Sequence, residues 1–147
     1  MEPKGGRHFT TAAPNRSGAE FARMVEHIVR QYPAADTIHL VMDNLNIHCR
    51  KSSTGHFGEQ KGEGIWDRLS VHYTPKHGSW LNMAECELSV LEKQCLGDRI
   101  GDETTLRKRV SKWNVDRNRR SKTIDWQFRT ADARIKLRRL YPQIQME

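Results

Sequence analysis

Two carboxylates stand where the surrounding sequence favours metal chemistry. Asp43 directly follows the β-rich run 38–42, at the carboxyl end of a predicted strand, and Glu85 lies on a predicted helix further along the chain. Ligands of α/β sheets gather outside the carboxyl ends of strands. Carboxylate oxygens are hard donors that suit Mg²⁺ or Mn²⁺. The structural alternative for Asp43 is a residue that caps a turn or a helix.

The helical pattern alone does not identify which glutamate would bind a metal. Glu85, Glu87 and Glu92 all flank the apolar seam of the same predicted helix, so a helical wheel cannot choose between the three. Surface glutamates on an amphipathic helix are the structural alternative for all of them.

A polar loop leads onto this helix. Residues 73–85 read YTPKHGSWLNMAE, which places many hydrogen-bonding side chains at the amino end of the predicted helix. Such an end, with its free backbone N–H groups, is suited to binding a phosphate. A packed turn around Trp80 is the alternative, and the density of polar donors favours a functional loop.

Alternating helices and strands must position these residues. Ser17 with Glu20 forms a capping-box pattern that predicts a helix to about residue 31, and a buried strand is predicted at 38–42. A second strand is predicted at 69–73, and an apolar seam then predicts a helix over about 80–96. The seam residues are Leu81, Ala84, Leu88, Leu91 and Cys95. This order indicates an α/β fold.

The remaining segments give weaker patterns. Residues 8–11 are predicted to be the end of a strand, and the polar, glycine-containing residues 49–63 to be a loop with some helical turn. Two further helices are predicted, at about 102–118 with Leu106, Val110 and Trp113 facing inward, and at 131–141.

Composition limits the class of protein. The 147 residues, 36% of them hydrophobic, suit one domain with a modest core. The 3 cysteines include no CxxC pair, which argues against a disulfide framework and a structural zinc site. No apolar run is long enough to span a membrane and no signal peptide is evident, so a cytoplasmic protein is expected.

The basic charge is concentrated near the end of the chain. Residues 99–139 carry 14 basic and 5 acidic side chains, whereas the whole chain has a net charge of +7. A polyanion such as DNA could bind there through counterion release. A solvated basic surface is the alternative.

The motifs as a whole resemble a known family. Residues 43–48 read DNLNIH, and this run together with residues 74–85 resembles the bacterial insertion-sequence transposases related to the mariner elements, which belong to the DDE superfamily of transposases and endonucleases. Residues 124–128 (IDWQF) and 140–142 (LYP) add to the resemblance, which covers about residues 6–142. It implies a ribonuclease H-like (integrase-like) fold and metal-dependent DNA cleavage and strand transfer in transposition.

The resemblance also implies roles for individual residues. Asp43 matches the second catalytic aspartate and Glu85 the catalytic glutamate, both as ligands of a two-metal site for Mg²⁺ or Mn²⁺. Such a site activates water or a 3′-hydroxyl for attack on a phosphodiester. Active-site loop or DNA contacts are expected at Asn44, His48, Lys76, His77, Ser79, Trp80 and Asn82; for Asn44 and His48 the alternative is turn hydrogen bonding. Contacts to the DNA backbone are expected at Arg107, Lys108, Lys112, Arg119 and Arg120.

The chain departs from the family pattern at its start. The first catalytic aspartate should lie on a strand far upstream, but only 42 residues precede Asp43. The expectation is therefore an N-terminally truncated catalytic domain over residues 1–147, with a partial core at about 6–98 and a basic helical segment at about 99–142. Expected partners are DNA, the missing N-terminal transposase segment and further copies of the chain. The alternative function is a catalytically inactive nucleic-acid-binding remnant of a decayed or split transposase.

Overall fold

The computed structural model describes residues 1–75, 78, 81–136 and 138. Helices and strands alternate along most of this part of the chain, which confirms the α/β class. Their order is α1 (Gly18–Gln31), β1 (Ile38–Met42), α2 (Arg50–Phe57), α3 (Glu59–Trp66), β2 (Leu69–Tyr73), α4 (Ala84–Cys95), α5 (Glu103–Arg120) and α6 (Thr130–Lys136).

The first helix forms as its sequence predicts. The Oγ of Ser17 accepts a hydrogen bond from the backbone N–H of Glu20 at 3.4 Å, so the N-cap is in place. Val25 and Val29 project from one face of α1 into a small core with Ile65 of α3. This core lies between the helices and the inner face of the sheet, and its partly buried members are Phe21, Ile38, Leu40, Phe57 and Leu69.

The two strands form a parallel pair at the bounds that the sequence predicts. Ile38 pairs with Leu69 and Met42 pairs with Tyr73, so both strands end at the same edge. Residues of the opposite face are exposed: Nδ1 of His39 lies 3.0 Å from Nε2 of His72 there. The shared edge is where Asp43 and the loop after Tyr73 begin.

The prediction of a loop at residues 49–63 is wrong. Two short helices, α2 and α3, occupy this region and pack against each other and against α1. Gly58 separates them with a φ of 81°, a positive value that glycine adopts without strain. At Gly62 an added Cβ would lie 2.5 Å from Cα of Thr54, so only glycine lets the two helices approach this closely.

The prediction of a strand end at residues 8–11 is also wrong. Within the described residues, the N-terminal segment has only an isolated bridge between Glu2 and Arg7. Side chains of α5 bind its backbone instead. Asn118 accepts from the N–H of His8 at 2.7 Å and donates to its carbonyl oxygen at 3.0 Å, and Asn114 accepts from the N–H of Thr10 at 3.3 Å.

The last helices differ from their predictions mainly at their ends. α4 begins at Ala84, and the seam prediction is wrong for Leu88, which is 57% exposed. α5 begins after Asp102, whose carboxylate accepts from the N–H of Thr105 at 2.8 Å, and it buries Val110 and Trp113 as predicted. The last predicted helix is present as α6, and of the residues after it only 138 is described.

Candidate active site

Asp43 leaves β1 with its carboxylate oriented by a histidine. Its side chain is 43% exposed, and Oδ1 lies 2.6 Å from Nδ1 of His48. The same oxygen accepts from the N–H of Leu45 at 3.4 Å, the hydrogen bond of a turn that follows the strand. The His48 ring packs on Phe21 of α1, with ring centroids 4.7 Å apart. The carboxylate is therefore half open to solvent but restrained in direction.

A set of hydrogen bonds joins the turn after β1 to the loop after β2. Asn44 donates from Nδ2 to the carbonyl oxygen of Thr74, and the N–H of Thr74 donates to the carbonyl oxygen of Met42 at 2.8 Å. The hydroxyl of Tyr73 donates to the carbonyl oxygen of His48 at 2.6 Å. Both chain segments that leave the sheet at this edge are consequently held together.

Glu85 lies in the first turn of α4, exposed to solvent. Its backbone N–H donates to the carbonyl oxygen of Asn82 at 3.0 Å, and Oδ1 of Asn82 accepts from the N–H of Ala84 at 3.1 Å. Asn82 thus accepts from two backbone N–H groups in the first turn of the helix that carries Glu85. The structure also sets Glu87 apart from the other two glutamates: Glu92 is exposed like Glu85, whereas Glu87 is buried against Arg117 and His8.

Four residues of the predicted loop lie outside the described residues. They are Lys76, His77, Ser79 and Trp80. Of their neighbours, Gly78 donates its N–H to the carbonyl oxygen of Pro75 at 2.7 Å and accepts from the N–H of Leu81 at 3.0 Å.

The predicted DNA-backbone residues divide between one face of α5 and its flanks. Lys108, Lys112 and Arg119 are spaced i, i+4 and i+11, which places them on one exposed face of the helix. That stripe is about 16 Å long from its first to its last member. Arg107 and Arg120 lie on either side of it, and Arg107 also pairs with Glu103 at 2.6 Å.

A cavity beside His48 extends toward this helix. Its volume is about 540 Å³, and it lies between residues 9–17, the face of α1 and the start of α5. His48 lines it, together with the basic side chains of Arg16, Arg23 and Arg107. The cavity therefore joins His48, the partner of Asp43, to one basic side chain of α5, that of Arg107.

Comparison with known proteins identifies the family. A sequence profile of DDE superfamily endonucleases matches residues 1–107. The chain belongs to this family. No curated protein and no solved structure gives a significant match. The matched residues include both Asp43 and Glu85 and end within α5.

Membership of the DDE endonuclease family has structural and chemical consequences. It implies a ribonuclease H-like fold, of which the parallel β1–β2 pair and the helices around it form the described part. It also implies a nuclease that acts on DNA and generally uses divalent metals. None of the helices among the described residues is both long and apolar enough to cross a membrane.

The candidate metal ligands of this DDE endonuclease are of a chemical type that suits a divalent metal. Asp43 and Glu85 offer carboxylate oxygens, the ligands preferred by Mg²⁺ and Mn²⁺, and neither is neutralised by a lysine or arginine ion pair within the part of the chain that is described. Two carboxylates are too few to form a complete metal site. Among residues 1–75, 78, 81–136 and 138, no group of three or more His, Cys, Asp or Glu side chains is arranged to hold a metal.

Sequence reasoning missed one cluster of charged side chains near Glu85. Glu87 binds Arg117 of α5 through two hydrogen bonds, of 2.9 Å from Nε and 2.7 Å from Nη2, and its Oε2 lies 2.9 Å from Nε2 of the buried His8. Burial acts to raise the pKa of Glu87, but the hydrogen bonds and charge of Arg117, helped by His8, outweigh it and hold this pKa below its usual value. No local pattern signals the contact, because its members are far apart in sequence.

Proposed function

We propose that this chain is the part of a DDE transposase that supplies two of the metal-binding carboxylates for cleavage and transfer of a DNA strand. Asp43 and Glu85 are the proposed ligands, and Mg²⁺ or Mn²⁺ the proposed ion. The observation that carries the proposal is the family match over both carboxylates, together with the position of Asp43 at the strand edge where β1 and β2 end.

The proposed roles of the chain's own residues follow from their contacts. His48 restrains the Asp43 carboxylate, and Asn44 ties its turn to the segment that leads to Glu85. Two divalent metal ions, when bound, would activate the attacking oxygen and stabilise the leaving oxygen of an in-line displacement. The stripe of Lys108, Lys112 and Arg119 holds the DNA backbone by charge, which positions the duplex without reading its sequence.

The third carboxylate of the site is proposed to come from another segment of the transposase. A DDE site has three carboxylates, and we propose that the first aspartate is contributed by a transposase segment other than the described residues. Assembly as a homo-oligomer on transposon ends, a cytoplasmic location and membership of the mariner-related insertion-sequence branch belong to the same proposal.

Cleavage of DNA carrying the element ends tests the proposal. With Mn²⁺ or Mg²⁺ present, we expect strand cleavage by this chain in the presence of the upstream transposase segment. We expect that cleavage to be lost in Asp43→Asn and in Glu85→Gln. Glu92→Gln is the matched control, because Glu92 is an exposed glutamate on the same helix.

Each outcome of that assay has a distinct meaning. Cleavage that persists in both Asp43→Asn and Glu85→Gln would contradict the proposed ligands. DNA binding without cleavage, even with the upstream segment, would support the inactive nucleic-acid-binding remnant instead.

A further inference from the structure

A buried cluster of ionisable side chains joins three segments of the chain near Glu85. Glu87 on α4, Arg117 on α5 and His8 in the N-terminal segment form it, and we call it the Glu87 clamp. The side chains of Glu87 and Arg117 are 9% and 14% exposed, and that of His8 is 1% exposed. Nε2 of His8 lies 2.9 Å from Oε2 of Glu87, without an aligned ring hydrogen bond.

The hydrogen bonds of the Glu87 clamp fix the orientation of the Glu87 carboxylate. Arg117 presents two parallel N–H groups to the two oxygens of Glu87, an arrangement that fixes the orientation of a carboxylate as well as its position. Arg117 is itself carried on the same turn of α5 as Asn118, which binds the backbone of His8. The clamp therefore holds Glu87 in one direction relative to two other segments.

The apolar residues of α4 do not account for the way this helix is turned. Its buried residues are Glu87 and Leu91, whereas Leu88 is 57% exposed. The mean direction of the six apolar residues of α4 lies about 45° around the helix from Glu87, at 100° per residue. These residues are Ala84, Cys86, Leu88, Val90, Leu91 and Cys95. Hydrophobic burial alone would turn α4 toward that direction. The observed rotation instead places the charged Glu87 inward.

The rotation of α4 decides where Glu85 points. Two residues along a helix differ by about 200° in direction, so a helix that turns Glu87 inward must turn Glu85 outward. Glu85 is accordingly exposed. A rotation that buried Leu88 would carry Glu85 around with it and change the direction of its carboxylate.

We propose that the Glu87 clamp is a positioning device for Glu85: Glu87, Arg117 and His8 fix the rotation of α4 about its axis and thereby the direction of the Glu85 side chain. The part of this inference that concerns metal binding rests on the proposed function. The part that concerns the rotation of α4 does not depend on it.

Thiol labelling measures this rotation without requiring activity. A reporter cysteine is placed either by Leu88→Cys or by Glu85→Cys, and its rate of alkylation is compared with that of the same chain after unfolding. The background is a chain whose natural cysteines are replaced by serine, at Cys49, Cys86 and Cys95. Each reporter is combined with Glu87→Gln, and with Glu92→Gln as the control.

With the clamp intact, both reporters should be labelled at the rate of exposed thiols. In Glu87→Gln, the Leu88→Cys reporter should be labelled roughly tenfold more slowly, because α4 turns that face inward and local exposure falls. Glu92→Gln should change neither rate. Equal rates in Glu87→Gln and Glu92→Gln, with the helical circular dichroism unchanged, would overturn the proposal.

A second variant covers the case in which Glu87→Gln does not fold. Glu87→Gln combined with Arg117→Met removes both charges together, so that no buried charge is left without a partner. Position 87 stays polar, so the apolar residues of α4 should again turn the Leu88 face inward, and slower labelling of the Leu88→Cys reporter is expected. An unchanged rate in this folded double variant would overturn the proposal as well.

Cleavage separates this inference from the proposed function. If Glu85 binds the metal, the Mn²⁺ concentration for half-maximal cleavage should rise about tenfold in Glu87→Gln. A labelling change without cleavage by any variant would leave the clamp standing and contradict the proposed function. Unchanged labelling with normal cleavage would contradict the role of the Glu87 clamp and leave the proposed function supported.

Discussion

At the scale of single residues, the contact between Asp43 and His48 sets the direction of the carboxylate. The 2.6 Å approach of His48 Nδ1 and the packing of its ring on Phe21 leave one side of the carboxylate free. Replacing a group that orients a metal ligand typically lowers metal affinity about 10- to 100-fold. His48 is therefore a second position, besides Asp43, at which the proposed metal site can be tested.

His48→Ala should weaken metal binding without unfolding the chain. Losing its contact frees the Asp43 carboxylate to rotate, and we expect the Mn²⁺ concentration for half-maximal cleavage to rise roughly 10- to 100-fold. Titration calorimetry with Mn²⁺ provides a measurement that needs no DNA. His72→Ala is the control, because His72 lies exposed on β2 and contacts His39 and Ser70 instead. Equal affinities in the two variants would count against the role of His48.

Glu87 should make stability depend on pH on the acid side. Its folded-state pKa is lowered, so its stabilising contribution is complete above the usual glutamate pKa of about 4.3 and is lost as the pH falls through the lower folded value. Urea unfolding below neutral pH should show this decline in the wild type, with a smaller decline in Glu87→Gln. Glu92→Gln should retain the wild-type dependence, and identical pH slopes in all three chains would refute the expectation.

Residue patterns predicted the position of Asp43 better than they distinguished the glutamates of α4. The position of Asp43 followed from a short apolar strand and the acid after it, and β1 ends where predicted. The helical pattern could not choose among Glu85, Glu87 and Glu92, because all three flank one seam, and only the family resemblance favoured Glu85. The structure sets Glu87 apart through Arg117, thirty residues away, and no local periodicity encodes a contact over that separation.

At the scale of elements, the pair α2 and α3 shows why the loop prediction failed. Glycines lower helix propensity, and several fall between residues 55 and 64, so the segment carries no helical pattern of its own. Tertiary contacts stabilise α2 and α3 in place of helix propensity. The Oγ of Ser53, fully buried, donates to the carbonyl oxygen of Gly62 at 3.1 Å, and α1 covers the pair.

Alanine substitutions should separate these two effects of glycine. Gly62→Ala would place a Cβ 2.5 Å from Cα of Thr54, so the backbones must move apart at a cost of about 1–3 kcal/mol. Gly55→Ala and Gly64→Ala meet nothing within 4 Å, and we expect each to stabilise the fold by about 0.5–1 kcal/mol. Chemical denaturation measures all three. A neutral Gly62→Ala would show that the helices do not need this close approach.

At the scale of the whole molecule, charge is arranged along one helix face. Lys108, Lys112 and Arg119 form an exposed stripe opposite the buried Val110 and Trp113 of α5. A duplex that lies along this stripe releases counterions from the phosphates it neutralises. The expected result is DNA binding that is tight at low salt and independent of sequence.

Removing the stripe should flatten the salt dependence of DNA binding. Replacing Lys108, Lys112 and Arg119 by glutamine should reduce the slope of log K against log salt by about 2.7, or 0.9 for each lost contact. Fluorescence anisotropy of a labelled duplex over a series of salt concentrations measures the slope. A control with the same change in net charge replaces Lys4, Arg30 and Lys51, which are exposed on other segments. A similar loss of slope in both triple variants would point to net charge rather than to the stripe.

The hydrogen bonds between His8 and Asn118 span 110 residues of sequence. During translation the N-terminal segment must therefore wait for α5 before it can dock. At the usual elongation rates of about 5–20 residues per second, that wait lasts roughly 5–20 seconds, plus the time for α5 to leave the ribosomal exit tunnel. Until then His8 has no partner for its backbone and Glu87 no counter-ion from Arg117. During that time proteases and chaperones have access to His8, whose side chain is 1% exposed once the segment has docked.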